Sequence, residues 1–294
     1  DAPRDLPSRL DRARARRHGH MAAACAEAAR AGELVVFADF DRTITRSFLP
    51  SGGRVASAHG VLEEAGVLSE AFRARCSELF DQYYPVEIDT EMPMEEKIPI
   101  MTEWYSTEHG LMIKESVTRR GISKAVSECS SIVFREGIED LLRACQEAQP
   151  PVPVFIMSAG LQNVIEEILR QRLPFELAPT TVVVSNSMCF DEGGSLVGFS
   201  EPVIHMFNKT SALVPQELHP LLEGKRRCLL LGDSLGDVTM AEGLGLQTFK
   251  VGFLNEKVEE WGRRYADGFD HVVLQDGPVP DMCFQALGVE PPHR

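Results

Sequence analysis

Four short segments of this chain are apolar along their length rather than at every second position. They are Leu34–Ala38, Val152–Met157, Thr181–Ser185 and Cys228–Leu231, with shorter runs at Gln247–Val251 and His271–Leu274. Continuous apolar content of this length suits strands buried on both faces, which only a parallel sheet covered by helices provides. Between them lie amphipathic periods of 3.6. Gly137–Glu147 places Ile138, Leu141, Leu142 and Cys145 on one face, and Leu161–Arg170 does so with Val164, Ile165, Ile168 and Leu169. The alternation predicts an α/β fold, a Rossmann-like doubly wound parallel sheet. Met188–Phe199 differs and predicts a β-hairpin turning at Glu192, Gly193 and Gly194.

The alternation breaks over residues 47–134, which read as mostly helical, with Leu68–Tyr84 and Met94–His109 the clearest pieces. A helical insertion after the first strand would overhang the strand ends, where α/β domains bind ligands. The expected organisation is therefore a discontinuous catalytic core, 1–46 and 135–294, with a helical cap at 47–134.

The first strand runs into Phe37-Ala38-Asp39-Phe40-Asp41-Arg42-Thr43. Residues two apart on an extended segment point the same way, so Asp39 and Asp41 share one small volume and need a cation or a proton between them. Phosphoryl transfer can use both. One carboxylate attacks phosphorus, and the other gives a proton to the departing alcohol. Keeping an ordinary Asp protonated at pH 7 costs roughly 4 kcal/mol, and a metal bound to its side chain raises that cost. The metal therefore belongs on Asp39, the nucleophile, and the proton on Asp41, which offers a metal only its backbone carbonyl.

A second buried strand ends in Gly232-Asp233-Ser234-Leu235-Gly236-Asp237 and leads into a helix. Hard oxygen donors without His or Cys suit Mg²⁺. Ser158, after Phe155-Ile156-Met157, precedes a helix and could present a hydroxyl and free N–H groups to an anion. Lys209 could stabilise charge on a phosphoryl group. Singly these are a polar turn, a helix N-cap and a surface lysine. Their order, and three of the four lying at strand ends, point to chemistry.

These motifs resemble the haloacid dehalogenase superfamily. Tyr83-Tyr84-Pro85-Val86-Glu87-Ile88-Asp89, Glu95-Glu96-Lys97-Ile98-Pro99, Met101-Thr102-Glu103-Trp104-Tyr105 and Ile204-His205 with Asn208-Lys209 are similar, more closely, to the cytosolic 5′-nucleotidase III (pyrimidine 5′-nucleotidase) family. The resemblance covers about residues 30 to 275. It implies Mg²⁺-dependent hydrolysis of nucleoside 5′-monophosphates such as UMP and CMP, with 7-methylguanosine monophosphate as a minor alternative; a phosphatase of another small metabolite and a catalytically inactive nucleotide-binding protein are the competing readings. It makes Asp39, Asp41 and Asp233 the metal ligands, with Asp237 in support. Ser158, Ala159 and Lys209 would meet the phosphate and Glu87 the nucleoside, while Trp104 would face the base or pack inside the cap. Two positions depart from the family pattern. Arg42 stands where an apolar residue is usual, and Glu108 where a substrate-facing serine is common. An ionised carboxylate at 108 cannot donate a hydrogen bond, and would favour a cationic base.

Net charge is −14, which disfavours binding to nucleic acid or an anionic membrane. No apolar run approaches the roughly 18 residues of a membrane span. Seven scattered cysteines without a CxxC pair read as thiols of a reducing, cytoplasmic compartment. A monomer is expected. The Arg-rich stretch Asp1–His20 reads as a solvated helix or arm rather than a targeting segment, since Asp5 and Asp11 interrupt its charge. The chain opens on Asp rather than Met, so its native start is expected upstream.

Overall fold

The computed structural model describes residues 9–89 and 91–292; Asp1–Ser8 of the N-terminal stretch lie outside the described residues. Helix α1 (Arg9–Arg30) leads into β1 (Leu34–Asp39) and then four helices: α2 (Ala58–Glu64), α3 (Glu70–Ile88), α4 (Met94–Met112) and α5 (Arg119–Glu128). The chain continues through α6 (Ile138–Glu147), β2 (Val154–Leu161), α7 (Gln162–Arg172), β3 (Thr181–Asn186) and the hairpin β4 (Met188–Phe190) with β5 (Leu196–Phe199). It ends with β6 (Arg227–Gly232), β7 (Gln247–Leu254), α8 (Val258–Gly268), β8 (His271–Leu274) and α9 (Asp281–Leu287).

Six parallel strands form one sheet in the order β3-β2-β1-β6-β7-β8. All six apolar runs are strands of it. Along β1, Leu34, Val36 and Ala38 enter one core layer and Val35 and Phe37 the opposite one, so every position is buried. This two-sided burial is why the strand shows no alternation. The order reverses between β1 and β6, and a crevice opens there at the carboxyl ends of the strands.

The helices between β1 and β2 divide by packing. Val61 and Leu62 of α2 and Ile122, Ala125 and Val126 of α5 belong to the main core. The middle of the α3–α4 pair has its own small core of Leu79, Tyr83, Met101 and Trp104. Sequence periodicity could not separate the two sets, because all four helices bury an apolar face.

One contact ties α4 to the segment before Lys209. His205 is fully buried; its Nδ1 accepts from the Phe207 N–H (3.2 Å), and its Nε2 pairs with Thr102 Oγ1 (3.2 Å). The Thr102 hydroxyl donates to Ile98 O, so Nε2 is the ring donor. Burial pushes His205 down to about 4. The unfolded chain then binds more protons between pH 6.5 and 4. Stability from keeping this ring neutral is present above pH 6.5 and is lost as pH falls towards 4. NMR titration of the His205 ring should find it neutral at pH 5, with hydrogen exchange in α4 quickening below that. An ordinary titration near pH 6.5 would contradict this reading.

The Gly-Asp-Ser turn after β6 does not continue into the expected helix. It forms a 3₁₀ turn, Leu235–Thr239, followed by irregular turns. Gly243 and Gly245 downstream both take positive φ, which ends any helical run.

Candidate active site

Asp39 closes β1 at the crevice and is 5% exposed. Its Oδ1 accepts from Lys209 Nζ at 2.5 Å, and the same ammonium lies 2.6 Å from Asp237 Oδ1. Burial alone would push Lys209 down, but Asp237 and Asp39 override it and keep the lysine charged. Asp237 Oδ2 accepts from the N–H groups of Asp233 (3.0 Å) and Ser234 (2.9 Å). It therefore shapes the turn that presents Asp233. A Cβ at Gly232 would fall 2.4 Å from the Asp237 Cβ, so only glycine lets the turn fold this tightly.

Asp39, Asp233 and Asp237 each place a carboxylate oxygen within 4.8 Å of the others. Burial first, then mutual repulsion, pushes Asp39 and Asp233 above the usual carboxylate range, against the pull of Lys209. Asp39 Oδ2 is buried without a hydrogen-bond partner. An orphaned oxygen in an all-carboxylate cluster with a charge deficit fits a hard divalent cation.

Asp41 lies in a π-type turn, Phe40–Ile44. Its Oδ1 accepts from the N–H of Ala58, the first residue of α2 (3.1 Å). Burial raises it to about 6, opposed by that hydrogen bond and by Arg42. The second carboxylate oxygen remains to carry a proton.

Ser158 does not end its strand directly before α7 as expected. It lies inside β2, four residues before the helix starts. Met157 pairs with Val184 and Leu161 with Asn186, so Ser158, Ala159 and Gly160 stand opposite Ser185 alone. The bulge turns the Ser158 hydroxyl onto the Gly160 N–H (3.0 Å) and frees this stretch from regular pairing. Asn186 holds it there. Its Nδ2 donates to Ala159 O (2.9 Å) and Ile204 O (2.8 Å), and its Oδ1 accepts from the Ile204 N–H (2.8 Å). One buried amide thus ties the Ser158 loop to the segment carrying Lys209. A polar residue ending Thr181-Val182-Val183-Val184-Ser185-Asn186 was the only sequence signal for it.

The α3–α4 pair supplies the remaining residues. Glu87 is raised to about 7 by burial, against Lys97 and Arg42. Of the two roles open to Trp104, the structure shows packing: it is 6% exposed and stacks on Tyr83 at 5.7 Å. Its Nε1 donates to Glu108 Oε1 (2.7 Å), and burial raises Glu108. Next to Trp104 on α4, the Tyr105 ring lies 6.1 Å from that of His205. The charges of Glu87, Glu108, Lys209 and Asp41 all act on its hydroxyl. Sequence reasoning did not single it out.

A family model described as pyrimidine 5′-nucleotidase (UMPH-1) matches residues 42–285. The chain belongs to the pyrimidine 5′-nucleotidase family. A 7-methylguanosine phosphate-specific 5′-nucleotidase of Mus musculus is 40% identical over 246 residues, 83% of this chain and 80% of the relative. A putative cytosolic 5′-nucleotidase 3 of Caenorhabditis elegans is 35% identical over 254 residues, 84% and 66% respectively. The solved structure of cytosolic 5′-nucleotidase IIIB bound to cytidine aligns with TM-score 0.80 at 29% identity, covering 98% of this chain and 95% of that one. This pyrimidine 5′-nucleotidase family member is accordingly a phosphoric monoester hydrolase on the haloacid dehalogenase fold. No helix among the described residues is long and apolar enough to cross a membrane.

Proposed function

We propose that the protein hydrolyses nucleoside 5′-monophosphates through an aspartyl phosphate on Asp39. The observation that carries this reading is the buried Asp39–Lys209–Asp237 triad, with Asp233 beside it and Asp41 held apart by α2. Asp39 attacks phosphorus in line with the departing 5′-oxygen. Asp41, its carboxyl raised by burial and anchored through Oδ1, gives its proton to that oxygen and afterwards takes one from water. Ser158, Ala159 and Lys209 hold the phosphate oxygens. Mg²⁺ held by Asp39, Asp233 and the Asp41 carbonyl would neutralise charge on the phosphoryl group, with Asp237 fixing the turn beneath it.

The closing unit is proposed to be the α3–α4 pair, about residues 70–112, rather than all of 47–134. Its separate core supports this, as does the role of α2 in holding Asp41. Glu87 and Tyr105 then reach the nucleoside. The protein is proposed to act in the cytosol, as the name of the C. elegans relative says of that protein.

UMP and CMP fit the family. One observation favours 7-methylguanosine monophosphate beside them, the substrate in the name of the mouse relative. Glu87 lies on α3 and Glu108 on α4 of the proposed closing unit, and acidic groups there would complement a cationic base. Turnover of UMP, CMP, 7-methyl-GMP and phosphoserine with and without Mg²⁺ tests the reading; no preference for nucleotides would sink it. Glu108→Ser should lower kcat/KM for 7-methyl-GMP roughly ten-fold relative to CMP, about 1.4 kcal/mol. Equal effects on both substrates would remove Glu108 from base selection.

A further inference from the structure

Arg135 is a buried cation that takes no part in the proposed chemistry. It is 1% exposed, and its ion partner is Asp276, with Oδ1 at 3.3 Å from Nη1, rather than a carboxylate of the crevice. Its Nε donates to Thr43 O (2.8 Å) and its Nη1 to Gly277 O (2.7 Å). Its Nη2 donates to Arg42 O and to Asn255 Oδ1 (3.2 Å). The Cζ stands 4.0 Å from the centroid of the Phe253 ring. A guanidinium is costly to bury unless its N–H groups are satisfied. Here two of them go to consecutive carbonyls, those of the two residues that follow Asp41.

These carbonyls belong to the turn Phe40–Ile44, which carries Asp41. Arg42 takes φ 63° and ψ 4° in it, the left-handed region that a residue with a Cβ rarely adopts. Within the turn the Thr45 N–H donates to Phe40 O (3.0 Å) and the Arg42 N–H to Thr45 Oγ1 (2.9 Å). From outside, residue 135 holds the turn twice. Its backbone N–H donates to Ile44 O (2.8 Å), and its side chain folds back to Thr43 and Arg42. Asn255 Nδ2 adds a bond to Arg42 O (3.1 Å). Asp276 accepts from the N–H groups of Ser47 (2.9 Å) and Phe48 (3.2 Å), so the chain leaving the turn is tied to the same ion pair.

Asp39 ends a strand paired on both sides, with β2 and with β6, so the sheet fixes it. Asp41 lies beyond the strand end, in the turn. Its carboxyl is steered at the tip by the Ala58 N–H (3.1 Å), and its backbone from behind by Arg135. We infer that Arg135 is a positioning residue for the reaction: by fixing the carbonyls of Arg42 and Thr43, it sets where the Asp41 carboxyl stands relative to Asp39, and so how well the proton reaches the departing 5′-oxygen. A strained backbone over-determined by surrounding bonds is the form in which preorganised groups are kept. The inference rests on the reading of Asp41 as the proton donor.

The test uses the full chain with Mg²⁺ and two phosphate esters, CMP and p-nitrophenyl phosphate. The departing oxygen of CMP needs a proton, whereas a nitrophenolate leaves without one. The value of kcat/KM reports the transition state of phosphoryl transfer, where the two differ. Asp41→Asn calibrates the readout: it should lower kcat/KM for CMP by about 10²-fold or more, and for the aryl ester far less. Arg135→Lys keeps the charge without the fork, and should lower CMP turnover about 30-fold and aryl ester turnover less than about three-fold. Asn255→Leu, at a half-buried position, removes one bond to Arg42 O and one to Arg135 Nη2. It should show the same selective loss, about five-fold, with the circular dichroism of the wild type. It keeps the test readable should Arg135→Lys fold poorly. Equal losses on both esters in these two variants, or wild-type kcat/KM for CMP, would overturn the inference. Equal losses on both esters in Asp41→Asn would instead overturn the proton-donor reading, and the inference with it.

Discussion

Asp39→Asn is expected to lower kcat for nucleotide hydrolysis by at least about 10⁴-fold, the scale on which removal of a covalent nucleophile acts. The amide has the carboxylate's shape and cannot form the aspartyl phosphate. Lys209 keeps Asp237 at 2.6 Å, so the site does not lose its internal counter-ion. The substitution also removes one of three crowded carboxylates, including a buried oxygen with no partner. With a chelator present, the variant should melt no lower than the wild type at pH 7. The sign follows from Asp39 being raised. The folded state holds its proton more tightly than the unfolded chain does, so the ionised group destabilises the fold above the unfolded carboxylate value near 4. Any gain in the variant therefore shrinks as pH falls towards 4, where the wild type is protonated in both states. Phosphate release and thermal melts measure the two effects, and mass spectrometry looks for the phosphorylated wild type. Retained turnover in Asp39→Asn would rule out the covalent mechanism.

Asp237→Ala is expected to have the largest effect on stability, a loss of about 2–6 kcal/mol from two backbone N–H groups left without an acceptor, at about 1–3 kcal/mol each. It leaves Lys209 with Asp39 alone, and strands the N–H groups of Asp233 and Ser234 that Asp237 Oδ2 now satisfies. At two to four degrees per kcal/mol for a large domain, the melting temperature should fall by roughly 10 °C. Activity should fall with it, because Asp233 loses the turn that presents it. Asp237→Asn keeps an acceptor for both N–H groups, so it should lose less stability than Asp237→Ala. Its activity should still fall, since the charge opposite Lys209 is gone. Equal melting temperatures for Asp237→Ala and wild type would show that the turn does not depend on this carboxylate.

Much of the candidate site could be read before the fold was seen, for a physical reason. Strands buried on both faces have unmistakable sequences, and their ends show as acids following an apolar run. Asp39 and Asp233 were legible in this way, and the pair Asp39 and Asp41 could be assigned different roles from the cost of holding a proton beside a metal. One local detail differs: β2 was expected to end at Ser158 and runs on to Leu161. Apolar patterning reports that a strand is present, but not the bulge of Ser158, Ala159 and Gly160 against Ser185. Trp104 and Tyr105 are adjacent aromatics on one helix. Nothing in their order says that it is Trp104 that stacks on Tyr83.

By itself, the sequence determined the parallel α/β core, the helical insertion after its first strand and the acidic strand ends. Each of these follows from periodicity and residue type within a dozen positions. Only the tertiary structure decided how the site is held. Asn186 reaches Ile204 across 18 residues, Arg135 reaches Thr43 across 92, and Asp276 reaches Ser47 across 229. Such bonds form because the sheet order brings remote loops to one edge. A lone Asn, Arg or Asp far from its partner carries no local pattern that says which backbone it will satisfy.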